Sequence, residues 1–147
     1  MSGANLRSSL DRVRDHWDRS AREREGEHAK VDTSPGAQVL RFRVFVEATA
    51  PGGRSVLDVG CGLAHLHDHL ASRSIDVDYT GIDLSPEMVA RARSRRPHLR
   101  LECAELGSWD PGRRFDLVVA VGIHNVRVPR GWDVLAADNP RLVFARI

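Results

Sequence analysis

The stretch Val56-Leu57-Asp58-Val59-Gly60-Cys61-Gly62-Leu63-Ala64 decides the fold. Val56 to Val59 is a short apolar run of strand character, Gly60 and Gly62 mark a turn, and Leu63, Leu66 and Leu70 recur at the spacing of a helix. A strand that passes through glycines into a helix allows the backbone to approach a ligand closely, and the first amides of the helix face the carboxyl end of the strand. Asp83 ends the next strand, where a carboxylate can accept hydrogen bonds from both hydroxyls of a ribose. Together these residues predict a nucleoside site.

Outward from this unit, short apolar runs alternate with helix-like stretches, the pattern of βαβ units around a parallel sheet buried on both faces. Tyr79 to Ile82 is the clearest part of the second strand, Leu99 to Cys103 forms the third, and Phe115 to Val121, the most apolar run, forms the fourth. Between the second and third, Ser85 is placed to cap a helix with Pro86 at its first position and Glu87 at the positive end of its dipole; Met88, Val89 and Ala92 continue it. Leu142 to Ile147 is a candidate fifth strand.

Residues 1–50 read as a separate helical section ahead of a nucleoside-binding domain over residues 51–147. Leu6, Leu10, Val13 and Trp17 form one apolar stripe on a charged helix. After a polar break at residues 32–36, Val39, Phe42 and Val46 fit a helix, while Phe42, Val44 and Val46 fit a strand equally well. Pro51, Gly52 and Gly53 close the section.

The chain has 147 residues, 41% hydrophobic and 29% charged, the composition of an ordinary globular domain. It holds no apolar run of membrane-spanning length and no secretory leader at its start, so cytoplasm is the expected compartment. The 22 basic and 20 acidic residues are interleaved, a weak footprint for nucleic acid. Cys61 and Cys103 are too few for a disulfide framework. His65 and His69 share a helical face, but with no further ligand cluster a solvated first helical turn accounts for them together with His67 and Asp68, and no metal is expected. Arg91, Arg93, Arg95 and Arg96 read as a solvated face suited to the carboxyl end of a helix dipole.

Asp58 discriminates between two cofactor classes. A nicotinamide fingerprint wants a third glycine where His65 stands, and a carboxylate two residues before its first glycine would repel phosphate. A nucleoside that carries a cationic amino group would welcome it.

VLDVGCGLA resembles the first motif of the class I S-adenosylmethionine-dependent methyltransferases, and GIDLSPEMVARAR resembles the segment after their second strand. Cys103-Ala104-Glu105-Leu106 is similar to their adenine-side segment, and FDLVVAVGIHNV to their fourth motif; the likeness covers roughly residues 38–128. It implies an α/β, Rossmann-like, doubly wound and mostly parallel sheet of four to five strands with N-terminal helices capping the cofactor site. S-adenosyl-L-methionine is then the cofactor and a small molecule the methyl acceptor. Asp58 would face the methionine amino group, Gly60, Cys61 and Gly62 its backbone-lined pocket, Asp83 the ribose, and Leu84, Ala104 and Glu105 the adenine, with Gly122 also at the cofactor. His124, after the fourth strand, is the candidate general base, and Trp17 and Arg41 are candidates to cover the cofactor.

The likeness has departures. Ala64 takes the place of the motif's third glycine, a change compatible with a demand for close packing only. Cys103 stands where an aspartate usually meets the adenine amino group. The family's sheet has seven strands ordered 3-2-1-4-5-7-6, so the shorter sheet expected here would leave the strand over 115–121 near an edge, open to self-association. The alternative function is a non-catalytic remnant that binds the nucleoside or nothing.

Overall fold

The computed structural model describes residues 3–23, 35–121 and 142–143. Two helices, α1 (Gly3–Glu23) and α2 (Pro35–Thr49), lead into β1 (Ser55–Val59), α3 (His65–Ala71), β2 (Asp78–Asp83), α4 (Pro86–Arg95), β3 (Arg100–Cys103), β4 (Leu117–Val119) and β5 (Leu142–Val143). The strands form one parallel sheet in the order β3-β2-β1-β4-β5. This is an α/β, Rossmann-like parallel architecture; the first four strands lie within two residues of their expected bounds, and of the expected fifth, Leu142 to Ile147, only residues 142–143 are described.

Register explains how the two faces are filled. Val56 pairs with Tyr79 and Leu117, and Asp58 with Gly81 and Val119, so these residues share one face. On it, Val56, Leu117 and Val119 pack with Phe42 and Phe45 of α2 and with Leu66 and Leu70 of α3. Tyr79 and Leu101 pack with Val89 and Ala92 of α4. The opposite face carries Leu57, Val59 and Ile82, which meet Phe115, Ala120 and the irregular segment around Leu106 and Trp109. Among the described residues no helix covers that face. Trp109 is fixed there by donating its indole N–H to Glu102 at 2.8 Å and by stacking on Phe115 at 6.5 Å between centroids.

The ambiguous segment over 38–50 is a helix because Phe42 and Phe45 face the sheet one turn apart, leaving Val39 and Leu40 exposed. The α4 start is as read from the sequence: Ser85 accepts from the Met88 N–H at 3.1 Å, and Pro86 occupies the first turn. Such a cap contributes about 1 kcal/mol.

Three expectations are corrected. Leu63 lies before α3, not on its stripe, and packs with Ala21 and Met88. The histidines around α3 are not a solvated turn: His65 is 8% exposed, His67 meets the Tyr79 ring edge-on at 5.3 Å, and His69 lies against Phe42 at 5.5 Å. Arg96 is not on a solvated face either, because its guanidinium is buried and forms a two-pronged pair with Asp68, tying the end of α4 to α3. As expected, β4 lies near a sheet edge, with only the two-residue β5 outside it, paired through Val118↔Leu142 and Val119↔Val143. Among the described residues no helix is long and apolar enough to cross a membrane.

Candidate cofactor site

The carboxyl ends of β1, β2 and β3 converge through their backbones. Gly60 and Cys61 both donate their N–H groups to the Ile82 carbonyl, at 2.8 and 3.0 Å, and Gly62 donates to a carboxylate oxygen of Asp83 at 2.8 Å. Three successive turn amides are therefore directed at the end of β2, which locks the turn to its neighbouring strand. Gly60 and Gly62 have φ of 72° and 52°, the left-handed region that glycine enters without strain. A Cβ built on Gly62 would meet nothing within 4 Å, so the turn opens onto free space there.

Ala64 adopts φ 61° and ψ 35°. The position therefore asks for left-handed backbone as well as close packing, and a side chain there costs about 1 kcal/mol or more. The reading of this site as one of packing alone is corrected on that ground.

Asp83 is held from both sides. One carboxylate oxygen accepts from Gly62 and the other from the Ser85 N–H at 2.9 Å, so its orientation is fixed while each oxygen keeps capacity for a further donor. Burial pushes this carboxyl up, with the Ser85 and Gly62 N–H bonds working in the opposite direction. The Ala104 N–H bonds to the Asp83 carbonyl at 2.9 Å and brings the start of the segment after β3 beside it. Leu84, Ala104 and Glu105 are half-buried around this point, and the Cys103 thiol lies 3.7 Å from the Leu84 carbonyl.

Asp58 sits deeper, 3% exposed, on the helix-covered face. Its carboxylate accepts the Tyr79 hydroxyl at 2.6 Å. Burial pushes Asp58 up to about 7, the Tyr79 bond lowers it, and the charge of Asp83 adds to the rise. The Cys61 thiol, also buried, is pushed well above its ordinary value by desolvation, which makes it a poor nucleophile. The structure thus brings Asp58, Gly60, Cys61, Gly62, Asp83, Leu84, Ala104 and Glu105 to one end of the sheet; Gly122 and His124 lie outside the described residues.

The profile of the methyltransferase domain family matches residues 56–137, more than half of the chain and the whole of this strand-end cluster. The chain belongs to this family. Within it, the methyltransferase chain is 34% identical over 110 residues to a trans-aconitate 2-methyltransferase of Methylobacterium radiotolerans, covering 71% of this chain and 40% of that one. It is 45% identical over 74 residues to a putative methyltransferase of Mycobacterium tuberculosis, covering 50% and 44%. Among solved structures it resembles a SAM-bound amino pentose methyltransferase from Micromonospora echinaspora, with TM-score 0.55 and 27% identity over 76% of this chain and 48% of that one. The chain thus spans about two fifths of the length of the curated relatives it matches. The fold and these relatives place the chain in the class I S-adenosylmethionine-dependent methyltransferase family, whose cofactor is S-adenosylmethionine. The residues present fit that group: an anchored carboxylate for ribose hydroxyls, a buried carboxylate for a cationic amine, and open space over Gly62.

Three residues that matter here were not singled out from the sequence. Tyr79 was visible only as a strand residue, although it is the one tyrosine and the β1–β2 register puts it diagonal to Asp58. Gly81 makes room for Cys61, since a Cβ on Gly81 would lie 2.8 Å from the Cys61 sulfur. Asp18 of α1 meets Ser85, a contact that no local pattern signals.

Proposed function

We propose that this chain binds S-adenosylmethionine at the carboxyl ends of β1, β2 and β3 and serves methyl transfer to a small-molecule acceptor. The observation that carries the reading is the Asp83 carboxylate, oriented by the Gly62 and Ser85 N–H groups at the carboxyl end of β2, beside a glycine turn with open space at Gly62. The cofactor supplies a methyl carbon activated by a sulfonium centre, so the protein's contribution is alignment and exclusion of water.

In this reading Asp83 accepts the ribose hydroxyls, and Asp58 supplies the negative charge opposite the amino group of the methionine portion. Gly60, Cys61 and Gly62 line that portion, while Leu84, Ala104 and Glu105, with Gly122, border the nucleoside. Of the amino-terminal helices, α1 caps the site, reaching it at Ser85 through Asp18, while α2 packs on the sheet face. His124 is the proposed base, required only where the acceptor atom must lose a proton before it attacks. The small-molecule acceptor is supported by relatives named for trans-aconitate and for an amino pentose.

Calorimetric titration with S-adenosylhomocysteine tests the reading. One saturable site is expected, and Asp83→Ala should weaken it by about tenfold or more, the effect of removing a charged hydrogen-bond acceptor. Folded protein that does not bind, or an Asp83→Ala variant that binds like wild type, would overturn it.

A further inference from the structure

A carboxylate of the amino-terminal helix reaches the site. Asp18 of α1 accepts the Ser85 hydroxyl and lies 3.4 Å from the Glu87 N–H. Ser85 donates its own N–H to Asp83, and Asp83 accepts from Gly62. A continuous line of hydrogen bonds therefore runs from α1, through the cap of α4 and the Asp83 carboxylate, to the glycine turn. Packing follows the same route, because Ala21 is buried with Leu63 and Met88, Trp17 lies against them, and Leu63 is the residue after Gly62. A second link, Arg22 to Glu87 at 3.3 Å, is exposed on both sides and contributes little. Ser85 is fully buried, so water is poorly placed to replace Asp18 as the acceptor of its hydroxyl.

We propose that Asp18 is a positioning residue for nucleoside binding: by holding the Ser85 hydroxyl it couples the seating of α1 to the orientation of the Asp83 carboxylate. The inference rests on the reading of Asp83 as the ribose acceptor. Asp18 acts through Ser85 and needs no contact with the ligand. Linkage makes the coupling reciprocal: a ligand that orders Asp83 tightens α1, and a seated α1 raises affinity for the ligand.

The test combines calorimetry with amide hydrogen exchange on the full 147-residue chain, with S-adenosylhomocysteine as the probe. In wild type the probe should slow exchange both in the turn over residues 60–64 and in α1. Asp18→Ala should weaken binding by about tenfold and abolish the ligand-linked protection of α1, while that of the turn persists. Asp18→Asn keeps an oxygen acceptor and should stay within about threefold of wild type, with protection of α1 retained. Protection of α1 that ignores the ligand in wild type overturns the proposal. So does an Asp18→Ala variant that melts earlier yet binds and protects α1 like wild type, the signature of a merely structural contact. Failure of wild type to bind overturns the reading of Asp83 and this proposal with it; failure confined to Asp18 leaves wild-type binding intact.

Discussion

The Asp58 carboxylate accepts a 2.6 Å hydrogen bond from the Tyr79 hydroxyl, joining the first motif of β1 to the interior of β2 beneath the cofactor site. The ring of Tyr79 is braced by His67, which in turn meets His98 at 5.7 Å. A buried acid is thereby held in one orientation by a donor that itself cannot turn.

This arrangement gives a pH signature. Burial first, and the Asp83 charge second to the Tyr79 bond, leave Asp58 at about 7 in the folded chain against 3.8 as the ordinary value. The folded state then holds the proton more tightly than the unfolded one between these values. Stability from this group therefore falls as pH rises from about 4 to about 7, at up to about 1.4 kcal/mol per pH unit, and levels off above. Chemical unfolding of wild type against Asp58→Asn between pH 4.5 and 8 should isolate the slope, which the variant lacks. If Asp58 faces a cationic amine, affinity for S-adenosylhomocysteine should run the other way, rising through pH 7 to a plateau.

Tyr79→Phe removes the donor and leaves the ring. The loss should cost about 1–2 kcal/mol, since a buried carboxyl group is left short of its partner. Because the Tyr79 bond lowers the Asp58 value, the midpoint of the pH profile should move upward in the variant. An unchanged midpoint would show that Tyr79 does not tune the acid.

Gly81→Ala should disturb the turn from below. Its added Cβ would lie 2.8 Å from the Cys61 sulfur and 2.8 Å from a Leu101 methyl. Overpacking of this kind costs about 1–3 kcal/mol, and displacement of Cys61 should weaken cofactor binding as well. Thermal melts with and without S-adenosylhomocysteine separate the two effects: the ligand-induced rise in Tm should shrink.

The Asp68–Arg96 pair should respond asymmetrically. Asp68→Ala leaves a buried guanidinium without this carboxylate and should cost about 2 kcal/mol or more, whereas Arg96→Met leaves a half-exposed carboxylate that water can serve and fills the guanidinium's place with apolar atoms. Equal losses in denaturant unfolding would show that the burial of Arg96 does not govern the pair.

Legibility in the sequence followed the range of the interactions. The β1–turn–helix unit and the α4 cap were readable because their residues lie within a few positions of one another: Asp58, Gly60 and Gly62 in one case, Ser85, Pro86 and Met88 in the other. The Asp58–Tyr79, Asp18–Ser85 and Asp68–Arg96 contacts were not, because each needs two elements already docked. The helical state of Pro35–Thr49 was undecidable locally, since its residues suit either period and packing of Phe42 and Phe45 on the sheet makes the choice. Ala64 hid its left-handed backbone because conformation at a turn depends on the hydrogen bonds of its neighbours, here Cys61 and Gly62.

All four strand pairings in the sheet are parallel, and that has a kinetic consequence. No two neighbouring strands can be joined by a tight hairpin, so no pair can zip up locally as a first step. β1 must instead wait for partners on both sides, Ser55 meeting Asp78 in β2 and Val56 meeting Leu117 in β4, before its apolar residues are covered. Some sixty residues separate Val56 from Leu117, so the central strand is enclosed on both sides only after this long stretch of chain has been made, and until then the apolar residues around the glycine turn stay exposed.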